Sequence, residues 1–150
     1  MVRYIEDVEV GETTDCGSVT VSGEEIVAFA ERYDPQPFHL DEAAAKDSIF
    51  GGLVASGWHT AALCMRLTVD AMTDHAFAGA RGIDELRWHR PLRPGTTLSV
   101  EVEVVETDPG AGRPGVGYVD FETRGYDQDG RVLVSWTSLA MMYTRPTTDG

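Results

Sequence analysis

Basic charge is what this chain has least of. Its 150 residues hold 12 Lys or Arg against 25 Asp or Glu, a net charge of −13, and Lys46 is the sole lysine. Such a balance argues against nucleic acid or an anionic membrane as partner, since either needs a basic face to neutralise phosphates. It suits a salt-rich cytoplasm and an arginine-favouring genome equally. Cysteine is scarce as well. Cys16 and Cys64 lie in unrelated contexts, which excludes a disulfide framework and leaves two free thiols. His59, His75 and His89 lack metal-ligand spacing with one another and have no cysteine pair beside them, so no metal site is expected. The longest apolar stretch, Leu53 to Met72, is interrupted by Gly57, His59, Arg66 and Asp70, which excludes a membrane span. No N-terminal segment has the basic start and apolar core of a secretion signal, so a cytoplasmic location is expected. Internal repeats and low-complexity tracts are also missing. Gly110-Ala-Gly-Arg-Pro-Gly115 matches GxGxxG literally, but Pro114 sits inside it and a strand-like segment follows, so it cannot open a helix onto a pyrophosphate.

What is present fits one core of 42% hydrophobic composition, with residues 1–150 reading as one domain. Val8 to Val21 reads as a lead-in strand. Ser22 to Tyr33 carries a cap and apolar residues at helical spacing. A short helix is expected after His39, over Leu40 to Lys46, and a buried helix over Leu53 to Met72. Arg81 to Arg90 reads as a strand. Leu98, Val100, Val102 and Val104 alternate with polar residues in the period-two pattern of a half-buried strand. Tyr118 to Tyr126 and Val132 to Tyr143 form two more strands, joined by Asp127-Gln-Asp-Gly130, whose Asp-Gly pair favours a tight hairpin turn. The expected class is therefore α+β: an antiparallel sheet with a buried helix against it.

Chemistry concentrates between Tyr33 and Thr60. Asp34 and His39 flank Pro35, Gln36, Pro37 and Phe38, and two prolines in four linking residues forbid a helix while stiffening the loop. A carboxylate and an imidazole so held can share a water, one group taking a proton from it and the other delivering one elsewhere. In a purely structural reading Asp34 caps the next helix and His39 sits in a hydrogen-bonded loop. Gly57, near the start of the long helix, lets a ligand approach a backbone N–H at the terminus whose dipole favours developing negative charge on oxygen. Alternatively, Gly51, Gly52 and Gly57 let that helix pack tightly against a sheet.

Asp34-Pro-Gln-Pro-Phe-His39-Leu-Asp-Glu, followed by Phe50 and Ala55-Ser56-Gly57, resembles the MaoC-like dehydratases, which include the (R)-specific enoyl-CoA hydratases. Trp88-His89-Arg90-Pro91-Leu92-Arg93-Pro94-Gly95 is similar to that family's aromatic-x-x-Pro-x-x-Pro-Gly hairpin. Two positions depart from it: Gln36 stands where many relatives have Asn, and Ser56 where they have His. The resemblance implies the hotdog fold, an antiparallel sheet wrapped around a long central helix, and a homodimer whose sheets join edge to edge with acyl-CoA near the subunit boundary. It also implies that Asp34 and His39 are the catalytic pair and that the Gly57 N–H meets the thioester carbonyl. The expected reaction is reversible hydration of a trans-2-enoyl-CoA or dehydration of a 3-hydroxyacyl-CoA. No metal or redox cofactor is expected, coenzyme A being part of the substrate. Phe38, Phe50, Ser56 and Trp58 are candidate substrate-binding residues, and Arg87, Arg90 and Arg93, the densest basic cluster, are candidates for the coenzyme A phosphates. Two rival readings are thioester hydrolysis on the same fold and a silent acyl-CoA-binding partner subunit.

Overall fold

Alternation in β3 (Thr97–Asp108) buries Leu98, Val100, Val102 and Val104 on one face, and that buried row anchors the whole molecule. The architecture is seen in a computed structural model that describes residues 1–147. β1 (Thr13–Thr20), β3, β4 (Val116–Tyr126), β5 (Val132–Tyr143) and β2 (Phe77–Trp88) lie in that order in one sheet, every pairing antiparallel. The β4–β5 register runs from Val116 against Tyr143 to Tyr126 against Val132, and the turn closes through Asp127 N–H to Arg131 O at 2.9 Å. Gly130 sits there at φ +78°, a conformation that favours glycine and accounts for the Asp-Gly signal.

Four helices occupy the connection between β1 and β2. α1 (Gly23–Tyr33) opens on a capping box: Glu25 N–H donates to Ser22 Oγ at 3.1 Å while Ser22 N–H donates to Glu25 Oε1 at 3.2 Å. α2 (Pro37–Leu40) and α3 (Glu42–Lys46) are short, and α4 (Gly57–Ala71) is the long one, packed against β1 and β3. Ile26, Ala30, Cys64, Leu98, Val134 and Met142 are buried in the core between them. None of the described helices is long and apolar enough to cross a membrane.

Five expectations are corrected. The lead-in strand starts at Thr13, because Ile5–Asp7 forms a 3-10 turn and Gly11 at φ +93° turns the chain before it. The strand expected from Arg81 starts at Phe77; Gly79 and Gly82 fall at register shifts that dilute the alternation. The two prolines do not forbid a helix between Asp34 and His39, for Pro37 is the first residue of α2, where its missing N–H costs nothing. The long helix does not begin at Leu53. Residues 53–56 run extended because Val54 N–H goes to Phe38 O at 3.3 Å and Ala55 N–H to Leu92 O at 2.9 Å. Nor is that helix buried all round: Trp58, Met65 and Val69 lie on one face and are 58%, 43% and 54% exposed, since nothing among the described residues covers them.

Candidate active site

Asp34 terminates α1 and His39 lies in the single turn of α2, so the two side chains ride on helical ends joined by the Pro35–Gln36 bend. Gln36 N–H donates to Asp34 O at 2.8 Å, and this tight bend brings the residues back toward each other. His39 Nε2 stands 3.4 Å from Asp34 Oδ2, with the imidazole buried. The other ring nitrogen settles the ring's orientation. His39 Nδ1 lies 2.7 Å from Val54 O, and since a carbonyl only accepts, Nδ1 carries the hydrogen and Nε2 is left to deal with the carboxylate and the cavity. For Asp34 burial opposes the charged form, but hydrogen bonding from Ser56 and Gln36 and the proximity of His39 outweigh it, holding the carboxyl below its usual range. Gln36 Nε2 to Asp34 Oδ1 measures 2.7 Å.

Ser56 caps α4 from a fully buried position. Its Oγ accepts from Trp58 N–H at 3.3 Å and its carbonyl from the N–H groups of His59 and Thr60 at 3.0 and 3.1 Å. Of the N–H groups that a helix start leaves unpaired, those of Trp58 and His59 are thus satisfied by one residue, while the Thr60 bond is the first regular turn of the helix. The N–H of Gly57 donates to no acceptor among the described residues. Gly57 is glycine here for a packing reason: a Cβ on it would lie 2.4 Å from Trp88 Cε2, and Trp88 Nε1 donates to Gly57 O at 2.8 Å. Trp58 meets the same indole edge-on, with ring centroids 5.1 Å apart.

These groups line a cavity of about 490 Å³, within the range of small-molecule sites. Of the residues singled out in the sequence, Asp34, His39, Gly57, Phe38, Phe50, Trp58 and Arg90 line it. Phe38 touches both Phe50 and the His39 ring, with centroids 5.4 and 4.5 Å apart. Ser56 lies beneath the wall rather than on it. Arg93 lines a smaller neighbouring hollow, its Nη2 donating to Phe50 O at 2.7 Å. Arg87 reaches neither: β2 bulges between Asp84 and Arg87, with Glu85 at φ +57°, and the guanidinium lies 3.5 Å from Glu85. Thr60, Trp88 and His89 line the cavity without having been singled out. For Trp88 and His89 the signal was present, since both open the proline-rich hairpin motif. His59 turns away from the cavity and stacks on Phe29 at 4.6 Å; its Nδ1 is buried without a partner, and burial lowers its pKa against a raising influence from Glu25. A second, apolar hollow of about 310 Å³ opens between α4 and the sheet around Met65, Val69, Phe77 and Phe121, sharing no residue with the first.

A family model described as the MaoC like domain matches residues 6–123. The 3-hydroxybutyryl-CoA dehydratase of Methylorubrum extorquens is 34% identical over 112 residues, which cover 72% of this chain and 68% of that protein. The crystal structure of the MaoC-like dehydratase from Rhodospirillum rubrum matches with a TM-score of 0.89 at 42% identity, over 97% of this chain and 99% of that one. A Mycobacterium tuberculosis protein described as a double hotdog fold matches over 99% of this chain and 46% of its own, with a TM-score of 0.79; at 21% identity it speaks to the fold alone. The sheet curled about α4 is accordingly a hotdog fold, and the chain belongs to the MaoC-like family of hydratases and dehydratases.

Proposed function

We propose that this protein is a hydro-lyase that reversibly hydrates trans-2-enoyl-CoA thioesters, or dehydrates the corresponding 3-hydroxyacyl-CoA. The observation that carries the reading is the convergence of Asp34 and His39, 3.4 Å apart, on a cavity whose wall includes the unpaired N–H of Gly57. The thioester carbonyl accepts from that N–H, which makes C3 electrophilic and stabilises enolate-like charge on oxygen. Water held between Asp34 Oδ2 and His39 Nε2 adds its oxygen to C3 and gives one proton to Asp34. His39 delivers a proton to C2, and transfer from Asp34 back to Nε2 restores the pair. Atoms balance: the elements of one water are added across the double bond. Because the two groups stand only 3.4 Å apart, these roles describe the pair's net action. The chemistry needs no metal or redox cofactor.

The active form is a homodimer. Among the described residues β2 has a neighbour only on its β5 side, and it shares a hollow with Met65 and Val69 of α4, so a second copy pairing along β2 covers Trp58, Met65 and Val69 together. This seats the acyl group near the subunit boundary. An Asp-His pair, rather than a lone carboxylate, favours attack at C3 over hydrolysis at the carbonyl carbon.

The test is a panel of short, long, branched and dicarboxylic enoyl-CoA thioesters, followed by loss of absorbance from the conjugated double bond. Asp34→Asn is expected to keep the fold and lose most turnover, on the order of 10²-fold or more as for a general base. Undiminished turnover in that variant refutes the roles of the pair. Release of free thiol without loss of the double bond identifies a thioesterase, and binding of acyl-CoA without turnover a silent subunit.

A further inference from the structure

Trp88 ends β2, and the strand is built so that its indole meets one carbonyl of α4. Asp84 pairs with Thr137 and Arg87 with Ser135, so three steps along β2 answer two along β5. The extra residue is absorbed at Glu85, which alone of the described non-glycine residues has a positive φ, +57°. Backbone held in that region persists only where its surroundings demand it. Its effect is on direction. Side chains alternate across a strand, so Thr137 and Val134 lie on opposite faces of β5 and carry their partners with them. Without the bulge Trp88 would share the outer face with Asp84; with it, Trp88 stands opposite the fully buried Val134 and points at the helix layer. The chain just beyond is pinned too, since the N–H groups of His89 and Arg90 both donate to Leu133 O, at 2.7 and 3.2 Å. The indole Nε1 then donates to Gly57 O at 2.8 Å from the wall of the cavity. Gly57 is where such a tether has most effect. It combines the freest backbone of any residue with the first position of a helix, an end that frays. Only its own φ and ψ separate the free N–H from the carbonyl that Trp88 holds, and on the near side Trp58 N–H is fixed by Ser56 Oγ.

We propose that Trp88 is a positioning residue for the reaction: by holding the Gly57 carbonyl, its indole N–H fixes the direction in which the Gly57 N–H enters the cavity, and so preorganises the donor to the thioester oxygen. The inference rests on the hydro-lyase reading of that cavity and adds to it a residue that acts through Gly57. Filling the wall asks only for a large ring; the tether asks for a ring with an N–H at this place.

Trp88→Phe keeps a ring and removes the donor, and three measurements compare it with the wild type. In crotonyl-CoA hydration kcat is expected to fall about tenfold at unchanged KM, a misaligned donor forfeiting part of the 10²–10³ that its complete loss costs. Acetoacetyl-CoA, whose enolate absorbs in the near ultraviolet, reports on the same donor without turnover: the apparent pKa of the bound ligand should rise by about one unit, a tenfold loss of enolate. By nuclear magnetic resonance the Gly57 amide should lose order, its order parameter dropping from about 0.85 toward 0.6. Wild-type kcat and enolate pKa in Trp88→Phe overturn the proposal, and so does a loss confined to KM, which makes Trp88 wall and nothing more. Should that variant not fold, hydrogen exchange in the wild type decides: a Trp88 Nε1–H that exchanges as fast as free indole is not tethered, and protection of about tenfold or more upholds the tether. A wild type that hydrates no thioester sinks the hydro-lyase reading instead, and the Gly57 order parameter still shows whether the indole holds that residue.

Discussion

Gly57→Ala adds one methyl group where there is no room for it. The new carbon lies 2.4 Å from Trp88 Cε2, 2.7 Å from Nε1 and 2.8 Å from Cδ2, all ring atoms of an indole tied to the Gly57 carbonyl. Overpacking of this kind costs about 1–3 kcal/mol, and losing the indole hydrogen bond removes about 1 kcal/mol more. Against this, alanine is the better helix former by at most about 1 kcal/mol. Trp88 is 44% exposed and can yield, which puts the net cost near 1–2 kcal/mol. For a domain of this size that lowers Tm by about 2–8 °C. Activity should suffer more, because the indole moves into the cavity and the first turn of α4 shifts under the free N–H; loss of one such donor costs about 10²–10³ in rate. Crotonyl-CoA hydration and thermal unfolding are measured for Gly57→Ala, Trp88→Ala and the double variant. Removing the indole should recover part of the stability lost to the methyl group, giving a coupling of at least about 1 kcal/mol. If Gly57→Ala is silent in both assays, or Trp88→Ala relieves none of its cost, the packing argument for this glycine is wrong.

Ser56→Ala removes a hydrogen bond that favours ionised Asp34, so the carboxyl pKa rises and the acid limb of the kcat/KM profile moves to higher pH. The sign for stability follows: a depressed carboxyl pKa contributes stability above the usual carboxylate range that is lost as pH falls through the folded value, and this variant shrinks that contribution. The lost cap costs a further ~1 kcal/mol in thermal unfolding. His59 is buried and held below its ordinary pKa of 6.5, so its contribution is complete above that pH and declines as pH falls beneath it. His59→Leu should flatten the fall in Tm between about pH 7 and pH 5; an unchanged slope would assign the pH dependence elsewhere.

Most of the sheet was legible because β3, β4 and β5 alternate cleanly and the Asp-Gly turn joins two of them. α1 was legible through its capping box. The start of α4 was not, since Leu53 to Ser56 are as apolar and small as the helix that follows, and only their bonds to Phe38 and Leu92 keep them extended. The Pro35–Pro37 pair misled because proline bars the interior of a helix and not its first position. Within the site, the residues that share one loop could be found by spacing alone. Trp88 and His89 stand in the proline-rich hairpin motif, yet their place in the site was not legible from it: they arrive at the end of β2, and only the pairing of β2 with β5 sets them beside the loop.

Residues 53–56 act as a splice between separate parts of the molecule. Val54 joins α2 through its N–H and the His39 ring through its carbonyl, Ala55 joins the Pro91–Leu92 loop, and Ser56 begins α4. Nothing on that side can widen without disturbing imidazole, loop and helix together. On the proposed acyl-thioester reading, adaptation to a bulkier substrate is therefore channelled to Trp58, which lines the cavity from α4 without a tie to Gly57, whereas Trp88 holds the Gly57 carbonyl.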